Sequence, residues 1–312
     1  MAYVLIPAVI FALIILTAYI CYRMAFYSPD RVPIGPDEYP IPDGEIYEPF
    51  REQMVAWMKE TRALDRKDVS IRSFDGLTLR GYFYEYAPGA PIELMMHGYR
   101  GAAERDLCGG VQRAFSMKRS VLLIDQRACG RSDGHIITFG INEHRDCLSW
   151  VDFLNKRFDS KLPIILTGIS MGAATVMMAA GQKLPENVVG VIADCGYTSP
   201  KEIIQKVIRD MRLPPKLAYP FVKLGARLFG HFDLEEFSSI EAMRNCKIPV
   251  FFVHGAADDF VPCEMSIACS KACAAENVLL KVPGAGHGLA YLVGPQAYAD
   301  AVAKLNFPSA EN

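Results

Sequence analysis

Residues 163–180 read PIILTGISMGAATVMMAA, which is an apolar run, a Gly-x-Ser-x-Gly motif and a helix-forming stretch in direct succession. This order predicts a sharp strand-to-helix turn that holds Ser170 in an unfavourable backbone conformation and projects its hydroxyl. Gly168 and Gly172 let the backbone approach closely where a side chain would clash. Ser170 is therefore the candidate nucleophile, and the alternative is a serine that merely caps the following helix.

Short apolar runs recur along the chain and define the fold class. Each run is uninterrupted rather than alternating, which is typical of strands covered by helices on both faces. Patterns of helical spacing lie between them, the clearest at residues 147–158. Alternating strands and helices predict a three-layer α/β fold with a mostly parallel sheet. The runs are residues 92–96, 121–124, 164–167, 188–193, 250–253 and 278–282.

An antiparallel pair of strands is expected before the first of these runs. Residues 69–74 and 77–85 flank Asp75-Gly76, a dipeptide typical of two-residue hairpin turns. The folded domain is therefore predicted to open with a tight antiparallel hairpin.

Polar residues follow the strands, at the edge of a parallel sheet where ligands bind. A serine hydroxyl needs a base that is itself oriented by a third group. His287, in the loop PGAGHG, is the candidate base, and Asp258, in HGAADDFVP, is favoured over Asp259 as the orienting acid. His97 and His254 directly follow strands, and we expect them to support loops by hydrogen bonding.

An attacked carbonyl oxygen becomes negatively charged and needs donors already in place. The backbone N–H of Met171, directly after Ser170, and that of Tyr99, in the loop after an early strand, are the candidate donors. The chain order Ser170, Asp258, His287 differs from the orders of the two best-known serine protease families.

The composition excludes several function classes. Thirty-three Lys and Arg against 35 Asp and Glu give a net charge of −2, and without a basic run a nucleic-acid partner is not expected. The nine cysteines are odd in number and form no Cys-x-x-Cys motif. We therefore expect neither a disulfide framework nor a metal site, but free thiols in a reducing compartment.

The N-terminal segment is long and apolar enough to cross a membrane. Residues 2–22 carry no charge, and at ~1.5 Å per residue they span the ~30 Å hydrocarbon core of a bilayer. Residues 1–22 are predicted to be a single-pass membrane anchor, with a cleaved signal peptide or a buried core helix as alternatives. Arg23 and Arg31 follow the segment and no basic residue precedes it, which places the main domain on the cytoplasmic side.

Residues 23–68 are predicted to form a proline-rich tether and a lead-in helix, and residues 69–307 the folded domain. Six prolines within residues 28–49 favour an extended tether. An insertion at about residues 197–247, with helical spacing in 201–211 and 216–229, predicts a lid over the strand ends. An apolar lid beside a membrane favours acyl or lipid-like esters. The alternative is that these stripes only pack the lid onto the core.

Five motifs in order resemble the α/β-hydrolase superfamily. They are HGYRG (97–101), DQRACGRSDG (125–134), GISMG (168–172), HGAADDFVP (254–262) and PGAGHG (283–288). More narrowly, residues 69–307 are similar to the serine aminopeptidase-like branch of small esterases, several of which carry an N-terminal membrane anchor. The first loop lacks the consecutive glycines of the lipase-type members.

This resemblance implies a serine hydrolase in which Ser170 is the nucleophile, Asp258 the acid and His287 the base, with Tyr99 and Met171 as oxyanion donors. The expected reaction is cleavage of a small or acyl ester through an acyl-enzyme, which requires no metal or organic cofactor. Three alternatives remain: a thioesterase, an aminopeptidase-like amide hydrolase and a non-catalytic scaffold. A peptidase would need a group that anchors the substrate amine, for which the candidates are Glu202, Glu235 and Glu236.

Overall fold

The computed structural model describes residues 2–29 and 34–310. Its strands are β1 (Arg66–Arg72), β2 (Thr78–Tyr84), β3 (Ile92–Met96), β4 (Ser120–Asp125), β5 (Ile164–Ile169), β6 (Val188–Asp194), β7 (Val250–Gly255) and β8 (Asn277–Val282). Its helices are α1 (Ala2–Ala25), α2 (Arg51–Ala63), α3 (Ala103–Ser116), α4 (Glu143–Arg157), α5 (Met171–Ala180), α6 (Pro200–Asp210), α7 (Pro215–Phe229), α8 (Ser239–Asn245), α9 (Cys263–Ala272), α10 (Ala290–Val293) and α11 (Pro295–Ala303).

One eight-stranded sheet organises the domain, in the order β1-β2-β4-β3-β5-β6-β7-β8. Strand β2 pairs antiparallel with both β1 and β4, and every other neighbouring pair is parallel. Helices cover both faces: Leu94 and Met96 pack with α4 and α5, whereas Met95 between them packs with α3. The predicted three-layer α/β fold with a mostly parallel sheet and an antiparallel first pair is confirmed.

The tight hairpin turn predicted at Asp75-Gly76 is wrong. The β1–β2 ladder ends at the pair Arg72 and Thr78, so five residues connect the strands instead of two. Ser73 Oγ donates a hydrogen bond to Asp75 Oδ1 at 2.6 Å and accepts one from Leu77 N at 2.8 Å. Ser73 N still donates to the Leu77 carbonyl at 2.9 Å, so the Ser73 hydroxyl replaces only the backbone acceptor for Leu77 N, and the turn is wider than a two-residue hairpin.

The proline-rich segment is only partly extended. Residues 45–50 form a 3-10 helix that contains Pro49, and α2 follows directly. The prolines that precede this short helix lie in non-helical chain, except for Pro33, which falls with residues 30–32 outside the described part.

The segment between β6 and β7 folds into α6, α7 and α8. Helices α6 and α7, called the cap helices below, contribute Ile203, Ile204 and Val222 to an apolar cluster that also contains Met171 beside Ser170. The same cluster contains Tyr22 of α1. The cap helices therefore cover the end of the sheet at which β3, β5 and β7 finish.

A buried ionic cluster joins the centre of the sheet to its flank. Glu93 of β3 is fully buried and accepts hydrogen bonds from Arg113 and from Arg119, the latter at 2.9 Å, as well as from Thr167 Oγ1 at 3.0 Å. Arg119 also donates to the carbonyl of Phe307 at 3.2 Å. The single carboxylate is therefore the shared counter-charge of two guanidinium groups, whose burial without it would cost several kcal/mol of stability.

Replacing Glu93→Gln keeps the shape of the side chain but leaves two buried cations without a counter-charge. We expect the free energy of unfolding to fall by about 3–5 kcal/mol, measured by urea denaturation. The matched control is Glu48→Gln, which breaks the exposed ion pair with Arg51 and should leave the unfolding midpoint unchanged. Equal effects of the two substitutions would contradict this account.

Candidate active site

The turn between β5 and α5 holds Ser170 in a strained conformation. Its backbone has φ 56° and ψ −119°, a region that residues with a side chain rarely occupy. A Cβ on Gly168 would lie 2.1 Å from the carbonyl oxygen of Gly172, and one on Gly172 would lie 2.0 Å from that of Met96. Only glycine fits at either position, so the motif is required by close backbone packing.

Ser170, His287 and Asp258 come together at the carboxyl ends of β5, β8 and β7. Ser170 Oγ lies 2.9 Å from His287 Nε2, and His287 Nδ1 lies 2.7 Å from Asp258 Oδ2. Since a carboxylate only accepts, Nδ1 carries the proton and donates to Asp258, which leaves Nε2 to accept from the serine hydroxyl. The ring is thus oriented to take a proton from Ser170.

Asp258 is buried but well supplied with donors. Its Oδ1 accepts hydrogen bonds from the backbone N–H groups of Phe260 and Val261, both at 2.9 Å. Its Oδ2 faces His254 Nε2 at 3.1 Å as well as His287. Burial by itself would raise the pKa of this carboxyl, but hydrogen bonds from the two imidazoles outweigh burial and hold the pKa well below its usual value. The group remains an anion throughout the neutral range.

The neighbouring carboxyl, Asp259, is exposed, and its backbone carbonyl accepts a hydrogen bond from Lys206 of the cap. Of the two adjacent aspartates, only Asp258 contacts His287.

The two other histidines at strand ends support loops. His97 Nε2 accepts from the backbone N–H of Gln126 at 3.0 Å, and Nδ1 contacts the carbonyl of Gly98 at 2.7 Å. His254 Nδ1 contacts Ser266 Oγ at 2.7 Å, and Nε2 contacts the carbonyl of Val261 at 2.8 Å. Both rings are fully buried, so they brace the loops that carry the site.

Tyr99 and Met171 lie beside Ser170. Met171 is the first residue of α5, where a backbone N–H has no acceptor within the helix. Tyr99 follows Gly98, whose Cβ position is 3.5 Å from Ser170 Cβ. Both residues line one cavity together with Ser170. Both residues therefore lie close to Ser170.

That cavity has a volume of about 370 Å³ and a nearly continuous apolar wall. The cap helices contribute Ile204 and Ile208 to it, and its inner end reaches Ser170. Cys21, Met24 and Ala25 of α1 also line it, which the sequence did not indicate. No acidic side chain lies among its described lining residues. The site is therefore a serine at the base of an apolar pocket. The volume of this pocket lies at the lower end of the ~300–1,000 Å³ that is typical of small-molecule sites.

Cys195 lies next to the hydrogen-bonded trio. Its Sγ, a carboxylate oxygen of Asp258 and a ring nitrogen of His287 are within 4.8 Å of one another, a spacing at which a metal ion could bind. Both ring nitrogens of His287 are already engaged, and burial raises the pKa of the Cys195 thiol well above its usual value. A metal would need the thiolate, so the hydrogen bonds explain this arrangement better than a metal site does.

The α/β-hydrolase fold follows from this topology and from comparison with known proteins. A family model described as alpha/beta hydrolase fold matches residues 94–231. An esterase of Pyrococcus furiosus, Pf2001, superimposes with a TM-score of 0.64 at 21% identity, covering 88% of this chain and 98% of that one. The chain thus has the α/β-hydrolase fold.

Two curated relatives match part of the sequence. The uncharacterized protein YqkD of Bacillus subtilis is 28% identical over 144 residues, 46% of this chain and 47% of that protein. The polyketide transferase ATR5 of Stachybotrys chlorohalonatus is 33% identical over 141 residues, 43% of this chain and 46% of that protein. The matched region spans about half the length of these relatives.

Asp194 is a titratable group at the site that the motifs did not single out. It ends β6, its carbonyl accepts from the backbone N–H of Ser170 at 2.8 Å, and its buried Oδ1 has no hydrogen-bond partner among the described residues. Burial raises the pKa of its carboxyl to about 6, against the opposing effect of His254 and His287. The group therefore holds a proton to a higher pH in the folded chain than in the unfolded chain.

This difference makes stability depend on pH in a predictable direction. Between about pH 4 and 6 the folded chain binds a proton that the unfolded chain has released, so Asp194 progressively lowers the free energy of unfolding as pH rises. Asp194→Asn has no carboxyl to titrate and therefore does not lose this stability as pH rises. Relative to wild type, the variant should gain on the order of 3 kcal/mol across this interval and then level off. Urea titrations at each pH measure the difference, and a pH-independent difference would contradict the assignment.

Proposed function

We propose that the chain is a serine hydrolase that cleaves a carboxylic ester through a covalent acyl-enzyme. The observation that carries the proposal is the relay from Ser170 Oγ through His287 to Asp258, with contacts of 2.9 and 2.7 Å at the base of an apolar cavity. By similarity of sequence, we place it in the serine aminopeptidase-like branch of small esterases. The esterase Pf2001, which shares its fold, is named for the same class of reaction.

In the first half-reaction Ser170 Oγ attacks the ester carbonyl while its proton passes to His287 Nε2. Asp258 stays ionised, keeps the ring in the correct tautomer and stabilises the imidazolium that forms. The protonated ring then gives its proton to the leaving alcohol oxygen as the tetrahedral intermediate collapses. In the second half-reaction a water molecule attacks the acyl carbon while its proton passes to His287 Nε2. The bond between the acyl carbon and Ser170 Oγ then breaks, His287 returns the proton to Oγ, and the acid is released.

The backbone N–H groups of Tyr99 and Met171 are the proposed donors to the negatively charged oxygen of the intermediate. They come from different loops and converge beside Ser170, and the N-terminus of α5 adds a favourable dipole. Such donors require no metal ion or organic cofactor.

The apolar cavity favours an acyl ester over a peptide. The three acidic residues that could anchor a substrate amine are engaged elsewhere: Glu202 with Thr198, Glu235 with Lys223, and Glu236 with Arg145. None of them lines the cavity. An ester is therefore the first choice of substrate, and a thioester, which uses the same steps, is the second.

We also propose that α1 anchors the chain in a membrane as a single span, with the domain on the cytoplasmic side. Residues 6–25 are apolar enough to cross a bilayer, and most of them are exposed in the folded chain. A signal sequence near the N-terminus would have the same composition. The position of Arg23 in the last turn of α1, after the uncharged residues 2–22, supports the cytoplasmic orientation.

The nucleophile can be tested by labelling. A small fluorophosphonate should label the wild-type protein at Ser170, and Ser170→Ala should abolish the labelling, since the variant lacks the hydroxyl that His287 is proposed to activate. The matched control is Ser149→Ala, which removes a hydroxyl bonded to the helix α4 backbone and should leave labelling intact. Equal labelling of wild type and Ser170→Ala would refute the proposal.

The two histidines near Asp258 should behave differently. His287→Ala removes the proton acceptor, and kcat for a short-chain ester should fall by about a hundredfold to ten-thousandfold. His254→Ala removes the contacts of that ring with Val261, Ser266 and Asp258. The bond between His287 and Asp258 remains, and Asp258 still accepts from two backbone N–H groups, so the main effect should be a loss of about 1–3 kcal/mol in unfolding free energy. Steady-state kinetics and thermal melts separate the two effects. Equal losses of kcat would mean that the base is misassigned.

A further inference from the structure

The last turns of α1 belong to the wall of the cavity that ends at Ser170. Cys21, Met24 and Ala25 line that cavity, which makes the apolar N-terminal helix part of the site as well as a possible anchor. The inward-facing positions lie at helical spacing, with Ala18 and Tyr22 buried next to them. One stripe of the helix thus packs on the domain while the remaining apolar surface is exposed.

The end of α1 is fixed to the loop that follows β3. Tyr99 Oη donates a hydrogen bond to the carbonyl of Ala25 at 2.9 Å, and Arg100 donates to the carbonyls of Met24 and Tyr27 at 2.9 and 3.0 Å. The carbonyls of Met24 and Ala25, in the last turn of α1, lack partners within the helix, and a cation at this end of a helix is favourable. The proposed oxyanion loop therefore holds α1 directly against the cavity.

On its other side, α1 packs tightly on the cap. A Cβ on Gly225 of α7 would lie 2.4 Å from the carbonyl oxygen of Ala18, so a glycine is needed for the two helices to approach. The rings of Tyr22 and Phe229 are 5.7 Å apart. Helices α1 and α7 are thus closely packed against each other at the side of the cavity.

The rim of the cavity is apolar and exposed. Met24 of α1, Met211 and Leu213 after α6, and Phe260 after β7 line the cavity, and each is between 47% and 56% exposed. Leu217 of α7, also exposed, continues this surface along the cap. An opening rimmed by exposed apolar side chains next to an apolar helix is unfavourable in water and favourable at a bilayer.

The length of α1 places this opening at the membrane. Residues 2–17 precede the part that packs on α7, and at ~1.5 Å per residue they reach only about 24 Å, short of the ~30 Å hydrocarbon core. For the helix to span, its packed turns and the outer face of α7 must enter the bilayer surface. Residues 200–230 carry seven Lys or Arg against two acidic residues, which favours contact with anionic headgroups.

We infer that the substrate is a long-chain acyl ester resident in the bilayer, whose chain enters the cavity along α1, between that helix and the cap. The inference rests on the proposed hydrolase function and adds to it the substrate class and the role of α1. Cys21, a half-buried residue of the wall, determines how much chain the cavity accepts, and the exposed Met24 lies at the entrance.

Whether the α1 wall of the cavity limits acyl-chain length is tested with the variants Cys21→Leu and Cys21→Trp in the full-length protein. The readout is the ratio of kcat/KM for the palmitoyl and butyryl esters of one fluorogenic alcohol, in mixed micelles. Cys21→Trp should lower this ratio by at least about tenfold, and Cys21→Leu by less, because added bulk excludes the distal part of a long chain. The matched control is Ile20→Trp, whose side chain points away from the cavity and should change the ratio by less than about twofold.

Labelling of Ser170 by a small fluorophosphonate is measured in every variant. If wild type is not labelled, the hydrolase proposal itself fails. If wild type is labelled and a Cys21 variant that melts at the wild-type temperature keeps the wild-type ratio, only the inference about α1 is overturned.

The route of entry is tested with the palmitoyl ester in vesicles. Wild type reconstituted in vesicles that also contain the ester should hydrolyse it much faster than when the same amount of ester is in separate vesicles. Equal rates would contradict entry from the surrounding bilayer, whatever the result for Cys21.

Discussion

The close approach of strand β5, helix α5 and strand β3 is the constraint on which the rest of the site depends. A single methyl group on Gly168 or Gly172 would lie about 2 Å from a backbone oxygen, a distance that no packing adjustment of a side chain could relieve. With glycine at both positions the chain reverses at Ser170, whose strained φ of 56° is then stabilised by the surrounding sheet and helix. This backbone conformation directs the Ser170 hydroxyl into the cavity.

The site also depends on the Asp258 carboxylate, which stays ionised although its side chain is buried from water. Asp258 obtains its stabilisation from two backbone N–H groups and two imidazoles, which together outweigh the cost of burial. Its charge fixes the orientation of His287, and His254 braces the loop that bears Asp258 through the Val261 carbonyl. The hydrogen bonds that the proposed proton transfer needs are therefore present before any substrate binds, which is the condition for efficient electrostatic catalysis.

Local patterns identified the strands and the residues at their ends, because uninterrupted apolar runs and glycine-rich turns are properties of short segments. Longer-range contacts escaped prediction. The turn at Asp75-Gly76 looked like a tight hairpin, but Arg127 donates to the Asp75 carboxylate at 2.9 Å, and that bond helps hold a wider loop. Likewise, Met24 looked like part of a plain apolar span, since nothing in its neighbourhood indicates that Arg100, 76 positions away, binds its carbonyl.

The most direct measurement is a crystal structure of the full chain after reaction with a long-chain alkyl phosphonate, which mimics the tetrahedral intermediate. The account predicts phosphorus bonded to Ser170 Oγ, a phosphoryl oxygen within hydrogen-bond distance of the Tyr99 and Met171 amides, and the alkyl chain lying against α1. Phosphorus attached to another residue, or a phosphoryl oxygen directed away from both amides, would contradict it.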